Sequence, residues 1–575
     1  MALRLPTQYE SHIFEETMHE WSQLQIPRSI FAPHWEEISE ILLPDYRNTF
    51  FPNSYNPPGM KKTQQQVDST GQVSLSRFSA IVDSLLTPAN MIWHGLEATD
   101  PKVNADRKVK LWFQNATREL FSERISPHAN FIGQNYAGWQ CLGAFGTTGM
   151  MIDHFADPLR AQKGIRYMDV PIGELYLAEN AQHMVDRFIR HFRLTARQAK
   201  QMFGDRIPPQ LEAAIEAKSE MPYNFLHRVC LREDYDPGSW DAKGKPWASY
   251  YISIEGHCLL EEGGYHTFPM AIGRYVQTPG EVYGRSPAME VLPALKTLNN
   301  EKRTFLKQGH RAADPVILTA DDGMLSIDLR PGGINKGGVS ADGKLLVNVL
   351  PTGQIQTTLE MMQEEQNLIK DVFLVSLFQI LEETPQMTAT EVIERVNEKG
   401  ILLAPTVGRQ MAERLGPQID RELDILMQQG RLPPMPPLLR EAGGQYKIKY
   451  TSPLARAARA QEAAAFMRSV EDALAHAQAT GDPSRLDLFN FDVADYEIAT
   501  DIRGVPETWM NTKQAIAGQR KGRSQSQQQK MQVEALPAQA AMMKAQSVVA
   551  KNTGQVQQQP GQSPAAIPVR SGGGI

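Results

Sequence analysis

Three cysteines, Cys141, Cys230 and Cys258, are all that 575 residues contain. They lie far apart and form no CxxC pair, which argues against a disulfide scaffold or a cysteine-based zinc site and suits a reducing compartment. Long apolar runs are also missing: nothing approaches the roughly 20 residues that span a bilayer. The opening Met-Ala-Leu-Arg-Leu-Pro-Thr-Gln lacks the apolar core of a signal peptide. The expectation is a soluble chain, assembled in the cytoplasm, with no membrane partner. Nor is there an excess of positive charge. Lys and Arg number 59 against 65 Asp and Glu, a formal −6, whereas a stable nucleic-acid binder carries a basic footprint.

Catalytic signatures are absent as well. No Gly-x-x-x-x-Gly-Lys-Ser/Thr loop is present; Gly332-Gly-Ile-Asn-Lys-Gly-Gly is a glycine turn. HExxH and Gly-x-Ser-x-Gly do not occur, and the 13 histidines show no ligand spacing. The acidic neighbours Glu364-Glu365 and Glu382-Glu383 do not face each other on a helix, so they form no acid–base pair. The reading is a protein that is not an enzyme, with no catalytic residue, metal or cofactor.

What the chain does contain is an ordinary globular composition, 41% hydrophobic and 22% charged. Its length requires two to four structural units rather than one core. Helical spacing marks Phe31 to Leu43 up to Pro44, Leu75 to Leu86, Trp112 to Ile125 and Phe131 to Leu142. The polar stretch 47–66 reads as a surface loop. From about Gly146 strand-like runs take over, at Met150–Asp153, Arg166–Val170 and Glu174–Leu177, and again at Phe225–Leu231 and Ser249–Ile254. Residues 183–203 read as a helical stretch followed by a short helix capped by Thr195. The fold class is mainly α with β-rich parts, an α+β chain.

The most informative segment starts at Gly280-Glu-Val-Tyr-Gly-Arg-Ser-Pro. Ser286 and Pro287 open a helix as N-cap and first-turn residue, expected to run to about Arg311 with a kink at Pro293. Met289, Leu292, Leu295, Leu298, Phe305 and Leu306 give it an apolar side; Lys296, Arg303, Lys307 and Arg311 give it a basic one. A glycine-rich stretch with short β-like runs, 315–353, leads to a second helix of about Ile355 to Glu382, which carries Glu360, Glu364 and Glu365. After the break Glu383-Thr-Pro-Gln-Met, the capping box Thr388-Ala-Thr-Glu391 opens a helical pattern that ends at Gly430. Its length would be roughly 60 Å at 1.5 Å per residue, so Pro405 and Gly416-Pro417 are expected to bend or break it. A strand at Tyr446–Tyr450 and an alanine-rich helix to about Ala479 follow. The end of the chain is low in complexity, with Arg520, Lys521, Arg523, Lys530, Lys544, Lys551 and Arg570 against Glu534 alone. Alone it cannot bury much apolar surface; residues 526–550 are read as able to turn helical when packed in an assembly.

The order helix, β-rich knob, helix, short loop, long kinked helix resembles the stem, clip, stem, tunnel loop and wing helix of the portal proteins, the head-to-tail connectors of short-tailed bacteriophages. Trp35 through Pro44, Ser84-Leu-Leu-Thr-Pro with Trp93, and Gly280 through Asn300 carry the resemblance. So do Met387-Thr-Ala-Thr-Glu-Val with Arg395, and Tyr450-Thr-Ser-Pro-Leu-Ala-Arg-Ala. Together they spread over residues 30–460. The resemblance implies a wing over 1–285, a first stem helix over 286–312, a clip over 313–354 and a second stem helix over 355–382. It further implies a tunnel loop at 383–387, a long kinked wing helix over 388–432, and wing closure with a helical crown over 433–519. The basic Gln/Ala-rich tail, 520–575, falls outside it.

By the same resemblance, copies form a homo-oligomeric ring, a dodecamer, at one capsid vertex of the virion, and double-stranded DNA enters and leaves through it. The partners implied are the major capsid protein, the terminase large subunit as motor, tail adaptor proteins and internal core proteins. The competing readings are another virion structural protein such as a tail adaptor, and a cytosolic enzyme with an unrecognised site. Lys296, Arg303, Lys307 and Arg311 either touch passing phosphates or pair with Glu360, Glu364 or Glu365 on a neighbouring copy. The loop Glu383, Thr384, Pro385, Gln386 and Met387 is either a constriction at the DNA or a plain helix-to-helix turn.

Overall fold

The computed structural model describes residues 8–52, 59–62, 66–157, 162–319, 327–328, 330–351, 355–375, 405–451, 453–502, 505 and 507–553. The chain divides into two compact units, Met1–Asn490 and Phe491–Ile575.

The first unit opens with α1, Gln8–Ile41, which runs unbroken through Pro27 and Pro33. Each proline removes one helical hydrogen bond, which is why the sequence suggests a start only at Phe31. Tertiary contacts hold the helix through them. Buried Arg28 donates to the carbonyls of Phe50 (2.7 Å), Gly173 (2.6 Å) and Leu175 (3.2 Å), and Trp35, Ile38 and Leu42 sink into the core. Then come α2 (Thr70–Leu86), β1 (His94–Ala98), α3 (Arg107–Ile125, capped by Asp106) and α4 (Phe131–Phe145).

Two antiparallel sheets follow. β2 (Thr147–Asp157) lies between β3 (Gln162–Val170) and β9 (Met270–Arg274). A five-stranded sheet has the order β4 (Leu175–Glu179), β5 (Val185–Thr195), β6 (Pro222–Leu231), β7 (Trp247–Ser253), β8 (Cys258–Tyr265). Between β5 and β6 lie α5 (Ala196–Phe203) and α6 (Pro209–Glu216). The helical stretch expected after residue 183 is corrected here: it is strand β5. Both faces of that strand are covered. Phe188 joins the main core, and Ile189 packs in a cluster with Trp21 of α1. The doubled apolar residues of a strand buried on both sides imitate helical spacing. Thr195 does cap α5, in a full capping box with Gln198.

Beyond the sheets, a helical turn, Pro287–Glu290, precedes α7 (Leu292–Ala313). The break falls at Val291, and Pro293 sits in the first turn of α7, where its missing N–H leaves no bond unmade. The single kinked helix expected from Ser286 is therefore a turn plus a helix. β10 (Ile317–Thr319) pairs with β11 (Val347–Val349), and α8 (Ile355–Val372) follows. Loop 383–387 and the capping box at Thr388 lie outside the described residues. From residue 405 the chain is helical again, with a π turn at Met411–Leu415 leading into α9 (Gly416–Gln428). In that turn the Gly416 N–H donates to Met411 O, so Gly416-Pro417 is absorbed by a widened turn rather than a break. β12 (Tyr446–Tyr450) closes onto β1, and α10 (Pro453–Thr480) follows.

The second unit holds a short helix, Phe491–Glu497, and α11 (Lys513–Thr553). The segment from 520 read as a tail is thus helical as far as 553. No described helix is long and apolar enough to cross a membrane.

Candidate functional site at the helical hairpin

The root of the hairpin is a close crossing of two chain segments. Gly146 ends α4 at φ +78, and a Cβ there would lie 2.3 Å from Gly284 O; a Cβ on Gly284 would lie 2.3 Å from Gly146 O. Only glycine fits on either side. The bare backbones let Gly284 N–H donate to Thr147 Oγ1 (2.8 Å) and Ser286 Oγ donate to Ala144 O (2.8 Å). The same Ser286 hydroxyl accepts from Met289 N (3.0 Å) as the N-cap. Arg274, buried at the end of β9, ties the root to the helix before α9 through Glu413 (3.1 Å) and to β4 through Glu179 (2.9 Å). Within the run Tyr-Gly-Arg-Ser-Pro, Gly284 thus makes the crossing and Ser286 both ties and caps it.

From that root α7 leaves the body. Ala294, Leu295 and Leu298 are buried, with Leu295 against Gly71 of α2. Beyond Asn299, whose Oδ1 accepts from Val67 N (2.8 Å), no residue of α7 is fully buried. α8 packs alongside, with Met362 and Ile369 buried and Thr358 donating to Gln308 across the pair (3.4 Å). The same antiparallel register sets Glu301 opposite Glu365. Burial and the charge of Glu365 raise the Glu301 carboxyl above its ordinary range.

The charged stripes fall as the spacing implies. Lys296, Arg303, Lys307 and Arg311 lie on exposed surface of α7, and Glu360 and Glu364 lie on exposed surface of α8 one turn apart. The Lys296 ammonium donates to Glu37 of α1 (2.7 Å). Glu360 accepts from Gln356 (3.2 Å). Among the described residues Lys307, Arg311 and Glu364 make no ion pair within the chain. Among the described residues neither Lys307 nor Arg311 pairs with Glu360 or Glu364 inside one copy. Candidate loop residues Glu383, Thr384, Pro385, Gln386 and Met387 lie outside the described residues.

A buried polar ladder went unread in the sequence. Gln410, Arg414, Gln418, Arg421 and Glu422, on the helix through the π turn, are all fully buried. Arg124 of α3 donates its Nε to Glu422 (3.1 Å) and stacks over Trp93, while Tyr167 and Gln418 donate to the same carboxylate (2.8 and 2.9 Å). Arg414 lies 3.8 Å from the Trp139 ring centroid and donates to Asn135 (3.0 Å). Nearby, burial pushes the Asp169 carboxyl up to about 7. The spacing of four between these polar residues was visible, but their partners lie up to about 300 positions away, beyond the reach of local pattern. This ladder cements helix, sheet and α3 into the platform that carries the root.

Residues 15–510 match the family described as "Bacteriophage head to tail connecting protein". The chain belongs to that connector family. It is similar to the "Probable portal protein" of Bordetella phage BPP-1, 28% identical over 457 residues that cover 76% of this chain and 79% of the relative. It is similar also to the "Portal protein" of Salmonella phage epsilon15, 27% identical over 523 residues, 89% and 92% of the two chains. A chain in the solved neck of an empty GTA particle resembles it at 11% identity and a TM-score of 0.33, over 70% of this chain and 90% of that one; so remote a likeness carries no argument. In this connector the family match embraces both arms of the hairpin and stops just before α11.

Proposed function

We propose that copies of this connector close into a ring, the portal at one capsid vertex, through which double-stranded DNA is packaged and later ejected. The observation that carries the reading is the hairpin. It is anchored at Gly284 and Ser286, and it carries Lys307 and Arg311 on one arm and Glu364 on the other, which among the described residues make no ion pair within the chain. Opposite charges on two arms suit a head-to-tail contact between copies, which generates a ring where the rotation closes. The β10–β11 knob supports the same reading. Leu318, Val349 and Leu350 are about half exposed, and a two-stranded sheet has too little core to stand by itself; a neighbouring copy is the natural cover.

In this reading the ring has twelve subunits, the wing meets the major capsid protein, and the knob docks first the terminase large subunit and then tail adaptors. ATP hydrolysis belongs to the partner motor, since the chain has no phosphate loop. A chain of net charge −6 leaves the channel without a dense lattice of phosphate contacts, which would grip the duplex through counterion release. Negative-stain microscopy of the purified full-length protein tests the proposal: rings with a central hole are expected, and a uniform population of monomers or dimers overturns it.

A further inference from the structure

α11 lies in the second unit and beyond residue 510, where the family match ends. The charge of the chain divides at the same place. After residue 510 there are eight Lys and Arg against the single Glu534, so the overall −6 splits into −13 before that point and +7 after it. The positions are periodic. Lys513 and Arg520 are seven apart, Arg523 and Lys530 are seven apart, and Lys544 and Lys551 continue the second series. A seven-residue step returns to one side of a helix with a drift of about 20°, and the offset of three between the series places them side by side. Six of the seven cations of α11 thus share one slowly winding stripe along roughly 60 Å of helix. Arg520 pairs with Asp492 (2.7 Å). Lys521, Arg523 and Lys530 are exposed and have no partner within the chain among the described residues.

We propose that α11 is a contact for the phosphate backbone of duplex DNA, an inference that rests on the portal reading for the duplex being at hand. Between Lys513 and Lys530 the remaining residues are Gln, Ala, Ser and Gly, with Ile516 the one large apolar side chain. That composition lacks the broad apolar face an interfacial membrane helix needs and the aromatic platforms that hold single strands. It has cations and hydrogen-bonding amides, which is the chemistry of sequence-independent phosphate contact. Copies packed stripe to stripe would repel, so in a ring the stripe faces something anionic. A few contacts per chain, spread over many copies, hold DNA near the ring without stopping its movement, because each contact exchanges with salt ions.

The test measures binding of the full-length protein to a fluorescent 40-base-pair duplex between 50 and 200 mM salt, beside the variant Arg523→Gln/Lys530→Gln. Glutamine keeps the helix propensity, and circular dichroism checks that it does. The variant's plot of log affinity against log salt is expected to be shallower by roughly 2, at about 0.9 per lost phosphate contact. An unchanged slope and affinity overturn the proposal. So does a variant that loses binding to acidic-phospholipid vesicles or to polyglutamate while keeping its duplex affinity. Microscopy of the same samples separates the two readings. Cation-dependent duplex binding without rings keeps this inference and removes the portal, whereas rings whose duplex binding ignores the two substitutions do the reverse.

Discussion

Buried charges are the residues on which this fold depends most sharply. Arg124 and Glu422 are both out of solvent, and the carboxylate also serves Tyr167 and Gln418. Removing one charge of such a pair leaves the other stranded, at a cost of about 3–5 kcal/mol. Glu422→Gln should therefore lower unfolding stability by that order in guanidinium titration, and a loss under about 1 kcal/mol would count against the ladder as a platform. A second residue gives the pH response. His227 is buried on Ser249 (2.9 Å) and stacked on Tyr251, and burial, followed by the nearby Arg190 charge, depresses its pKa to about 3. The neutral ring is favoured in the folded chain, so its contribution is complete above pH 6.5 and is lost as pH falls toward 3. At pH 5 the loss is about 2 kcal/mol. His227→Gln should show a smaller drop in urea stability between pH 7.5 and 5.0 than the parent by that amount; equal drops would refute the assignment. Local chemistry was readable at this scale and distant chemistry was not. Ser286 and Thr195 declare themselves as caps from three neighbouring residues, while Glu422 looks like any helical glutamate until Arg124 is folded against it.

Among elements, the hairpin root shows how a short run can specify a junction. Gly280 and Gly284 look alike in sequence, yet they differ in what surrounds them. Gly280 has φ +82 and nothing within 4 Å of a Cβ, whereas a Cβ on Gly284 would strike Gly146 O at 2.3 Å. Gly280→Ala should cost about 1 kcal/mol of backbone strain, and Gly284→Ala about 1–3 kcal/mol of overpacking in addition to shifting the Ser286 cap. Hydrogen exchange over 275–295 measures both, with acceleration expected in the second variant; equal protection in the two would show that the crossing does not hold the root. Helices with one apolar face, such as α2 and α3, were plain from spacing. α1 was shortened because its prolines read as breaks, and β5 was mistaken because a strand buried on both faces has no alternation to show. The knob was found as a β-rich stretch, but its two strands are only three residues each, too short for register to be written in pattern.

For the whole molecule the deciding surface lies between copies, where no single chain carries the answer. The sequence displayed the two stripes; whether they meet depends on the angle between neighbours. Lys296 is already occupied by Glu37, so in the proposed ring the seam would rest on Lys307 and Arg311 from one side and on Glu360 and Glu364 from the other. Exposed ion pairs contribute little singly, about 0–1 kcal/mol, but a ring repeats each contact around its circumference and like charges set opposite one another block closure. Lys307→Glu/Arg311→Glu is thus expected to leave folded subunits that fail to form rings. Glu360→Lys/Glu364→Lys should fail in the same way, and the fourfold variant carrying both swaps should recover rings, because complementarity is restored with the signs exchanged. Microscopy and sedimentation on the four proteins decide the matter. Rings that form in the Lys307/Arg311 double variant but package DNA poorly would move those two cations from the seam to the channel wall.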